Sequence, residues 1–247
     1  MKIALIGYGK MGKTIEQLAI EKGHQISAAF DLSNKDQFTV DELKKADVAI
    51  EFTQPDQAVG NIKMCFKAGI PVVCGTTGWM KQFPAVQKEC TDGGHSLFYA
   101  SNYSIGVNLF FEINSRLAEL MKTQGQYDHV IIHESHHLEK LDSPSGTAIT
   151  LADEIIRKLS RYKEWVNYKV NESVDSGKDK KGELPIFSSR EDEVPGTHIV
   201  KYFSDVDEIE IMHKALNRQG FALGAIAAAE WIKGKKGVFG MKDLLKL

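Results

Sequence analysis

The 247 residues carry no surplus of either charge, few cysteines and no long apolar run, and each shortage excludes something. Thirty-one lysines and arginines stand against 33 aspartates and glutamates, a formal net charge of −2. That balance argues against a nucleic-acid binder, which needs a clear basic excess. Three cysteines (Cys65, Cys74, Cys90) are odd in number and lack C-x-x-C spacing. They argue against a disulfide framework or a cysteine-based zinc site and suit a reducing compartment. The longest apolar stretches, such as Phe221–Ile232, are too short and interrupted to span a bilayer, so no membrane partner is expected. Met1 leads into a strand-like run with neither a basic n-region nor an apolar h-region, so no secretory leader is read and a cytoplasmic location is expected. What is present is a globular composition, 43% hydrophobic and 26% charged, sufficient for one large domain or two modest ones.

Lys2–Gly7 is a short apolar run ending in glycine, and Lys13–Glu21 follows with helical spacing of Ile15, Leu18 and Ala19. Gln25–Phe30, Asp47–Phe52, Pro71–Cys74 and Ser96–Tyr99 read as further buried strands, with a helix starting near Pro55. Strands alternating with helical patterns predict βαβ units, and hence a Rossmann-type doubly wound parallel sheet of the α/β class over the first hundred residues. The pattern then changes. Ile105–Met121 is a long amphipathic helix, Tyr127–Glu134 is strand-like, and a helix runs from about Ser145 to Ser160. Asn171–Glu183 is nearly devoid of apolar residues and reads as an exposed loop. His198–Phe203 and Glu208–His213 alternate like antiparallel strands, and Phe221–Lys233 is an apolar helix before a glycine-punctuated tail.

Gly7-Tyr8-Gly9-Lys10-Met11-Gly12 is G-x-G-x-x-G between the first strand and the first helix. The first glycine makes the tight turn, the second lets backbone approach a pyrophosphate, and the third lets helix pack on strand. Backbone N–H groups and the helix dipole then hold the phosphates. The second strand ends at Asp31, where an acid accepts hydrogen bonds from ribose hydroxyls and repels a 2′-phosphate. Leu32 follows where an arginine would favour the phosphorylated coenzyme. NADH is therefore expected over NADPH, although nearby Lys35 softens the preference; the plain alternative is that Asp31 closes a turn. Gly75-Thr76-Thr77-Gly78 and Ala100-Ser101-Asn102-Tyr103 follow two later strands, which places them at the carboxyl edge where open α/β sheets bind ligands.

Four of eight histidines (His129, His133, His136, His137) fall within nine residues. His133-Glu134-Ser135-His136-His137 matches H-E-x-x-H, a zinc motif that requires a helix to bring its histidines together. On a strand, residues four apart are roughly 13 Å from each other, too far to share a zinc, so no metal is expected. The more productive reading joins His136, His137 and Lys140 to Asp142-Ser143-Pro144-Ser145-Gly146-Thr147. Two imidazoles and an ammonium can protonate a substrate and pair with its anionic groups. Ser145, Gly146 and Thr147 open the following helix, whose free N–H groups form a carboxylate site. The constellation describes a pocket for a small, multiply negative substrate that receives hydride and proton; the plain alternative is a polar loop with a capped helix.

These residues resemble the 4-hydroxy-tetrahydrodipicolinate reductases of bacterial lysine and diaminopimelate synthesis, formerly called dihydrodipicolinate reductases. The likeness rests on GYGKMG, EFTQP, GTTGW, ASNYSIGVNLF, EIMHKALNRQGFALGAIAAAEWI and GVFGMKDLL. The most specific block is ESHHLEKLDSPSGTA, which looks like the family's E-x-H-H-x-x-K-x-D-x-P-S-G-T-A. The resemblance implies nicotinamide-dependent reduction of a cyclic imine dicarboxylate, with loss of its 4-hydroxyl as water, to tetrahydrodipicolinate. By motif position it makes His136 the proton donor/acceptor and Lys140 a proton donor. His137, Gly146 and Thr147, with Ser145 alongside, would bind substrate. The coenzyme contacts map onto the glycine loop, Asp31, Gly75–Thr77 and Ala100–Tyr103. It also implies a coenzyme domain of residues 1–104 and 218–247, and a second α+β domain of residues 105–217. The mixed sheet of that domain would bind substrate and build a homotetramer.

Two departures stand out. Leu138-Glu139 replaces a usually more basic pair and lowers the positive field around the substrate. Pro195-Gly196-Thr197-His198 stands where the family often has G-E-H, so His198 survives without its acidic neighbour. Two other readings of the chain are another two-domain NAD(P)-dependent amino-acid dehydrogenase and a non-catalytic NAD(H)-binding redox sensor. The His-His-x-x-Lys block disfavours both.

Overall fold

A computed structural model of the chain describes residues 1–169, 181–217 and 219–247. In chain order the elements are β1 (Lys2–Ile6), α1 (Lys10–Glu21), β2 (Gln25–Phe30), α2 (Val40–Leu43), β3 (Val48–Glu51), α3 (Pro55–Ala68), β4 (Val72–Cys74), α4 (Phe83–Asp92) and β5 (Ser96–Tyr99). Then follow α5 (Ile105–Met121), β6 (His129–His136), α6 (Gly146–Lys158), β7 (Glu164–Lys169), β8 (Glu183–Arg190), β9 (Thr197–Phe203) and β10 (Glu208–Lys214). The chain closes with α7 (Gln219–Ile232), β11 (Gly237–Phe239) and α8 (Met241–Leu245). It divides into two compact units, Met1–Ile105 with Gln219–Leu247, and Gly106–Arg218. No helix among the described residues is long and apolar enough to cross a membrane.

The first unit is a six-stranded sheet in the order β11-β5-β4-β3-β1-β2, with every pairing parallel. Its strands are apolar on both faces because both are covered. Ile3, Leu5, Val48, Ile50 and Phe98 point into one core with α1 and α7; Ala4, Ile6, Ala49, Val72 and Leu97 point into the other with α3 and α4. Helix α3 starts at Pro55 and stops at Gly69, whose left-handed φ of 74° closes the last turn. Chain order reverses between β1 and its neighbour β3, so their carboxyl ends flank the crevice where such sheets bind ligands.

The second unit is a mixed sheet in the order β10-β9-β6-β8-β7, antiparallel on the β10-β9-β6 side and parallel on the β6-β8-β7 side. One face packs Val130, Ile132, Leu184, Ile186, Val200 and Tyr202 against α5 and α6. Strand β6 alternates buried and half-exposed along its length, and its last two inward positions are Glu134 and His136. The core face of a strand thus turns polar over its final turnings, which puts charged chemistry on a rigid support.

Some elements differ from expectation. Helix α1 starts at Lys10 instead of Lys13, because the close approach of Gly12 to the first turn lets the helix begin inside the glycine loop. Strands β7, β8 and β11 went unread. Pro185 and the serines of ELPIFSSR break the apolar alternation of β8, and β11 spans only three residues. Glu183, read as the end of a loop, opens β8; the rest of that loop, residues 171–180, lies outside the described residues.

Small residues let α7 sit close on the sheet. A Cβ on Gly224 would come 1.8 Å from the carbonyl oxygen of Tyr103, whereas one on Gly60, exposed in α3, would meet nothing within 4 Å. Gly224→Ala should therefore lower the unfolding free energy by about 1–3 kcal/mol, the usual cost of overpacking. Gly60→Ala should raise it by about 0.5–1 kcal/mol through helix propensity alone. Urea unfolding of the two variants checks both signs.

Candidate active site

The crevice at the reversal of chain order is a cleft of about 720 Å³, lined among others by Gly7, Tyr8, Gly9, Asp31, Lys35 and Thr53. Two of the three glycines are demanded by the protein's own packing. Gly7 has φ +96° and its Cβ would lie 1.9 Å from the Phe52 carbonyl oxygen; that of Gly12 would lie 2.3 Å from the Gly7 carbonyl oxygen. A Cβ on Gly9 meets nothing within 4 Å, so no neighbour in the protein requires a glycine there. Gly9 is also the N-cap of α1, with no side chain capping that helix. An open glycine before uncapped N–H groups fits a pyrophosphate. Lys10 is exposed and Met11 packs against the core, so these two positions offer backbone to a ligand.

Asp31 ends β2 at the cleft, and its Oδ1 accepts bonds from Ser33 N at 2.7 Å and Ser33 Oγ at 2.6 Å. These bonds hold its carboxyl below the ordinary range. Asp31 is thus both the turn residue and a carboxylate at the cleft. Thr76 Oγ1 accepts from Thr53 N at 2.7 Å, which ties the loop after β4 to the loop after β3. Gly75 leaves room for the Phe52 ring, and Thr77 is exposed. Among Ala100–Tyr103, Ser101 is exposed, Asn102 half-buried and Ala100 buried. Tyr103 is 2% exposed, and its hydroxyl donates to the Cys74 carbonyl at 2.8 Å. That side chain braces the core below the sheet edge.

In the second unit, strand register assembles the other cluster. Glu134 stands opposite His198 of β9, and His136 stands opposite Arg190 of β8. Glu134 Oε2 lies 2.5 Å from His136 Nδ1, and Glu134 Oε1 accepts from Arg190 Nη1 at 3.1 Å. Burial works to raise the Glu134 pKa, but hydrogen bonds from His136 and Ser188, the His136 charge and Arg190 outweigh it, leaving the group lowered to about 2. Arg190 also donates to the Asp142 carbonyl at 2.6 Å and the Lys140 carbonyl at 3.3 Å, so one guanidinium ties the loop after β6 to the carboxylate. The Lys140 ammonium meets both Asp142 oxygens, at 2.7 and 2.8 Å. His137 is half-buried at the start of this loop.

Helix α6 begins next to these groups in sequence. Ser145 Oγ caps it by accepting from Ala148 N at 3.2 Å and lies 2.9 Å from His198 Nε2. Ser145 is 2% exposed, and its hydroxyl builds the helix start. Gly146 is exposed and Thr147 half-buried in the first turn of this helix, where backbone N–H groups have no intrahelical acceptor.

Both halves of the chain match models of one family: residues 1–103 match dihydrodipicolinate reductase, N-terminus, and residues 106–245 match dihydrodipicolinate reductase, C-terminus. The chain belongs to the dihydrodipicolinate reductase family. It is 48% identical to the 4-hydroxy-tetrahydrodipicolinate reductase of Christiangramia forsetii over 247 residues, 99% of this chain and 98% of that one. Its fold is similar to dipicolinate-bound dihydrodipicolinate reductase from Paenisporosarcina sp. TG-14, with a TM-score of 0.77, 23% identity and 97% of each chain covered. A more distant fold likeness is amine dehydrogenase from Mycobacterium smegmatis, with a TM-score of 0.62 and 12% identity over 98% of this chain and 95% of that one. This reductase is therefore an oxidoreductase of lysine and diaminopimelate synthesis, and its dinucleotide fold serves a nicotinamide coenzyme.

Sequence reasoning singled out His136 and Lys140 in this reductase and missed Glu134 and Arg190 around them. The inward run Val130, Ile132, Glu134, His136 carried a signal for Glu134, since an acid that continues a core face needs a cation. Arg190 carried none, because β8 was unread. His133, on the opposite face of β6, stacks on Phe187 with ring centroids 5.0 Å apart, so the literal zinc motif is split across the sheet.

His198 gives the cluster a pH signature. Burial, and then the facing His136, lower its pKa from 6.5 to about 3. Between those values the unfolded chain binds a proton that the folded one refuses, so stability falls as pH drops through that window. Glu134 adds the same sign at lower pH, its stabilisation being lost as pH falls toward 2. The unfolding free energy should decline from pH 6.5 to 4 by on the order of 1 kcal/mol per pH unit for His198. His198→Gln should flatten that slope without abolishing it, since burial also lowers the pKa of His133 and His213. Denaturant melts across this range test it, and an unflattened slope would show His198 to be charged in the fold.

Proposed function

We propose that this reductase takes hydride from a nicotinamide coenzyme and delivers it to the ring of 4-hydroxy-tetrahydrodipicolinate, which loses its 4-hydroxyl as water to give tetrahydrodipicolinate. The observation that carries this reading is His136 at the end of β6, followed within one loop by Lys140 and by the open N-terminus of α6. The coenzyme, when bound along the glycine loop, supplies the hydride. His136 and Lys140 supply the proton that balances it, His136 from the ring nitrogen not turned to Glu134. His137 and the first N–H groups of Gly146 and Thr147 receive the substrate's carboxylates. Ser145, alongside them, also caps that helix start through its hydroxyl.

The same reading gives NADH as the preferred coenzyme, because Asp31 presents a carboxylate where a 2′-phosphate would sit, with NADPH accepted through Lys35 in the same cleft. Coenzyme oxidation followed by absorbance, with substrate made in situ from pyruvate and aspartate semialdehyde by the preceding synthase, should depend on the synthase. It should run at higher kcat/KM with NADH than with NADPH, and Asp31→Arg should reverse the order. Coenzyme binding without turnover would sink the activity, and a clear NADPH advantage in the unaltered protein would sink the preference.

Cytoplasmic residence and a homotetramer belong to this reading as well. Three buried free cysteines suit a reducing compartment. The second sheet turns Ile131, Phe187 and Ile199, all half-buried, away from its helices, and Met212 on the edge strand is 57% exposed. A self-complementary apolar face of this kind is what a symmetric oligomer buries. Sedimentation equilibrium should give four times the mass of the chain, and a monomer at micromolar concentration would overturn the assembly.

A further inference from the structure

We propose that Glu134 is a positioning residue for the reduction: anchored by Arg190, its carboxylate holds Nδ1–H of His136 and so fixes the ring's tautomer and orientation, leaving Nε2 as the nitrogen that takes up and gives the transferable proton. The proposal rests on the activity assigned above. The sheet itself arranges the parts. Glu134 and His136 lie two apart on one face of β6, Arg190 pairs with His136 across to β8, and Ser188 pairs with Glu134 on the same strand.

The Glu134 side chain is fully buried and touches Arg190 on one oxygen and His136 on the other. Among the described residues, neither Glu134 Oε2 nor His136 Nδ1 has a hydrogen-bond partner besides this contact. A buried carboxylate with one oxygen spent on a guanidinium can place the other only against an imidazole N–H, which puts the hydrogen on Nδ1. The ring is held from its far side too. A Cβ on Gly196 would lie 3.0 Å from His136 Nε2, so the glycine before β9, at φ +152°, lets the chain pass beside the ring without a side chain covering that nitrogen. The His136 carbonyl in turn accepts from Glu191 N at 2.8 Å. Carboxylate, glycine and backbone leave the imidazole one orientation.

A competing use of the same atoms is a metal centre, since one ligand atom each from Glu134, His136 and His198 lie within 4.8 Å of one another, all buried. Arg190 argues against it. The guanidinium already gives Glu134 its counter-charge, and a divalent ion would stand beside a fixed cation.

Glu134→Gln keeps the shape and removes the charge. Against the unaltered protein in the coupled assay, kcat should fall roughly 10- to 100-fold, the size seen when a group that orients a functional histidine is lost. KM for both reactants should stay within about 3-fold, because neither touches Glu134. Long-range ¹⁵N NMR should show His136 held as the Nδ1–H tautomer in the protein and as a mixture in the variant. Glu134→Asp, which keeps the charge for Arg190 but withdraws it from the ring, should lose kcat as well and guards against a variant that does not fold. An unchanged kcat, or an unchanged tautomer, would overturn the proposal. So would a fall in kcat matched by an equal rise in KM, which marks a structural role. Stoichiometric Zn²⁺ binding by calorimetry, present in the protein and lost in Glu134→Gln, would replace it with a metal site. The NMR reading needs no turnover, so a failure of the assigned activity is seen separately, as a wild type that leaves the substrate unreduced.

Discussion

A carboxylate with no exposed surface has to be ionised against a partner or protonated, and Glu134 is settled by the first route through Arg190. Much of the second unit's chemistry depends on that pair. The guanidinium takes the charge of Glu134 and, through the Asp142 and Lys140 carbonyls, ties down the loop that carries His137 and Lys140. One half-buried cation therefore decides the state of the acid behind His136 and the path of the chain in front of it. Removing either partner would leave the other charged in a desolvated place, which is among the costlier things a fold can suffer.

The first unit obeys a different constraint, the closeness of backbones. Gly7 must pass the Phe52 carbonyl, Gly12 the Gly7 carbonyl, and Gly224 the Tyr103 carbonyl. These contacts set the turn after β1, the seat of α1 and the seat of α7. Gly9 is the exception, since a Cβ there would meet nothing within 4 Å, and the fold itself does not require its glycine. The Tyr103 hydroxyl, bonded to the Cys74 carbonyl, links the ends of β4 and β5 from beneath, so the rim of the cleft rests on the core.

How much of this the sequence disclosed follows from what each signal depends on. The parallel sheet was legible because its strands are apolar on both faces, and α5 was legible to the residue because its amphipathic period is long and uninterrupted. The glycine loop and the His136–Thr147 block were legible because their chemistry is contiguous in the chain. Arg190 and His198 lie more than fifty residues from Glu134 and reach it only through strand register, which no local pattern encodes. What the Ser145 and Tyr103 hydroxyls bond to was hidden for a related reason. A hydroxyl near a site is visible in a sequence, but whether it is spent on a helix cap or a core carbonyl is a property of packing.

The two imidazoles of the cluster show how one environment gives two roles. His136 and His198 sit with ring centroids 5.0 Å apart, near perpendicular, too close for both to carry charge at low cost. Burial keeps His198 neutral, and Ser145 engages its Nε2. Glu134 offers its negative charge to the Nδ1 of His136. The carboxylate thus stands at His136, while His198 lies against the hydroxyl that caps α6. Here the division is written into register: the same β6–β9 pairing that sets Glu134 opposite His198 leaves His136 two residues on, at the strand's open end.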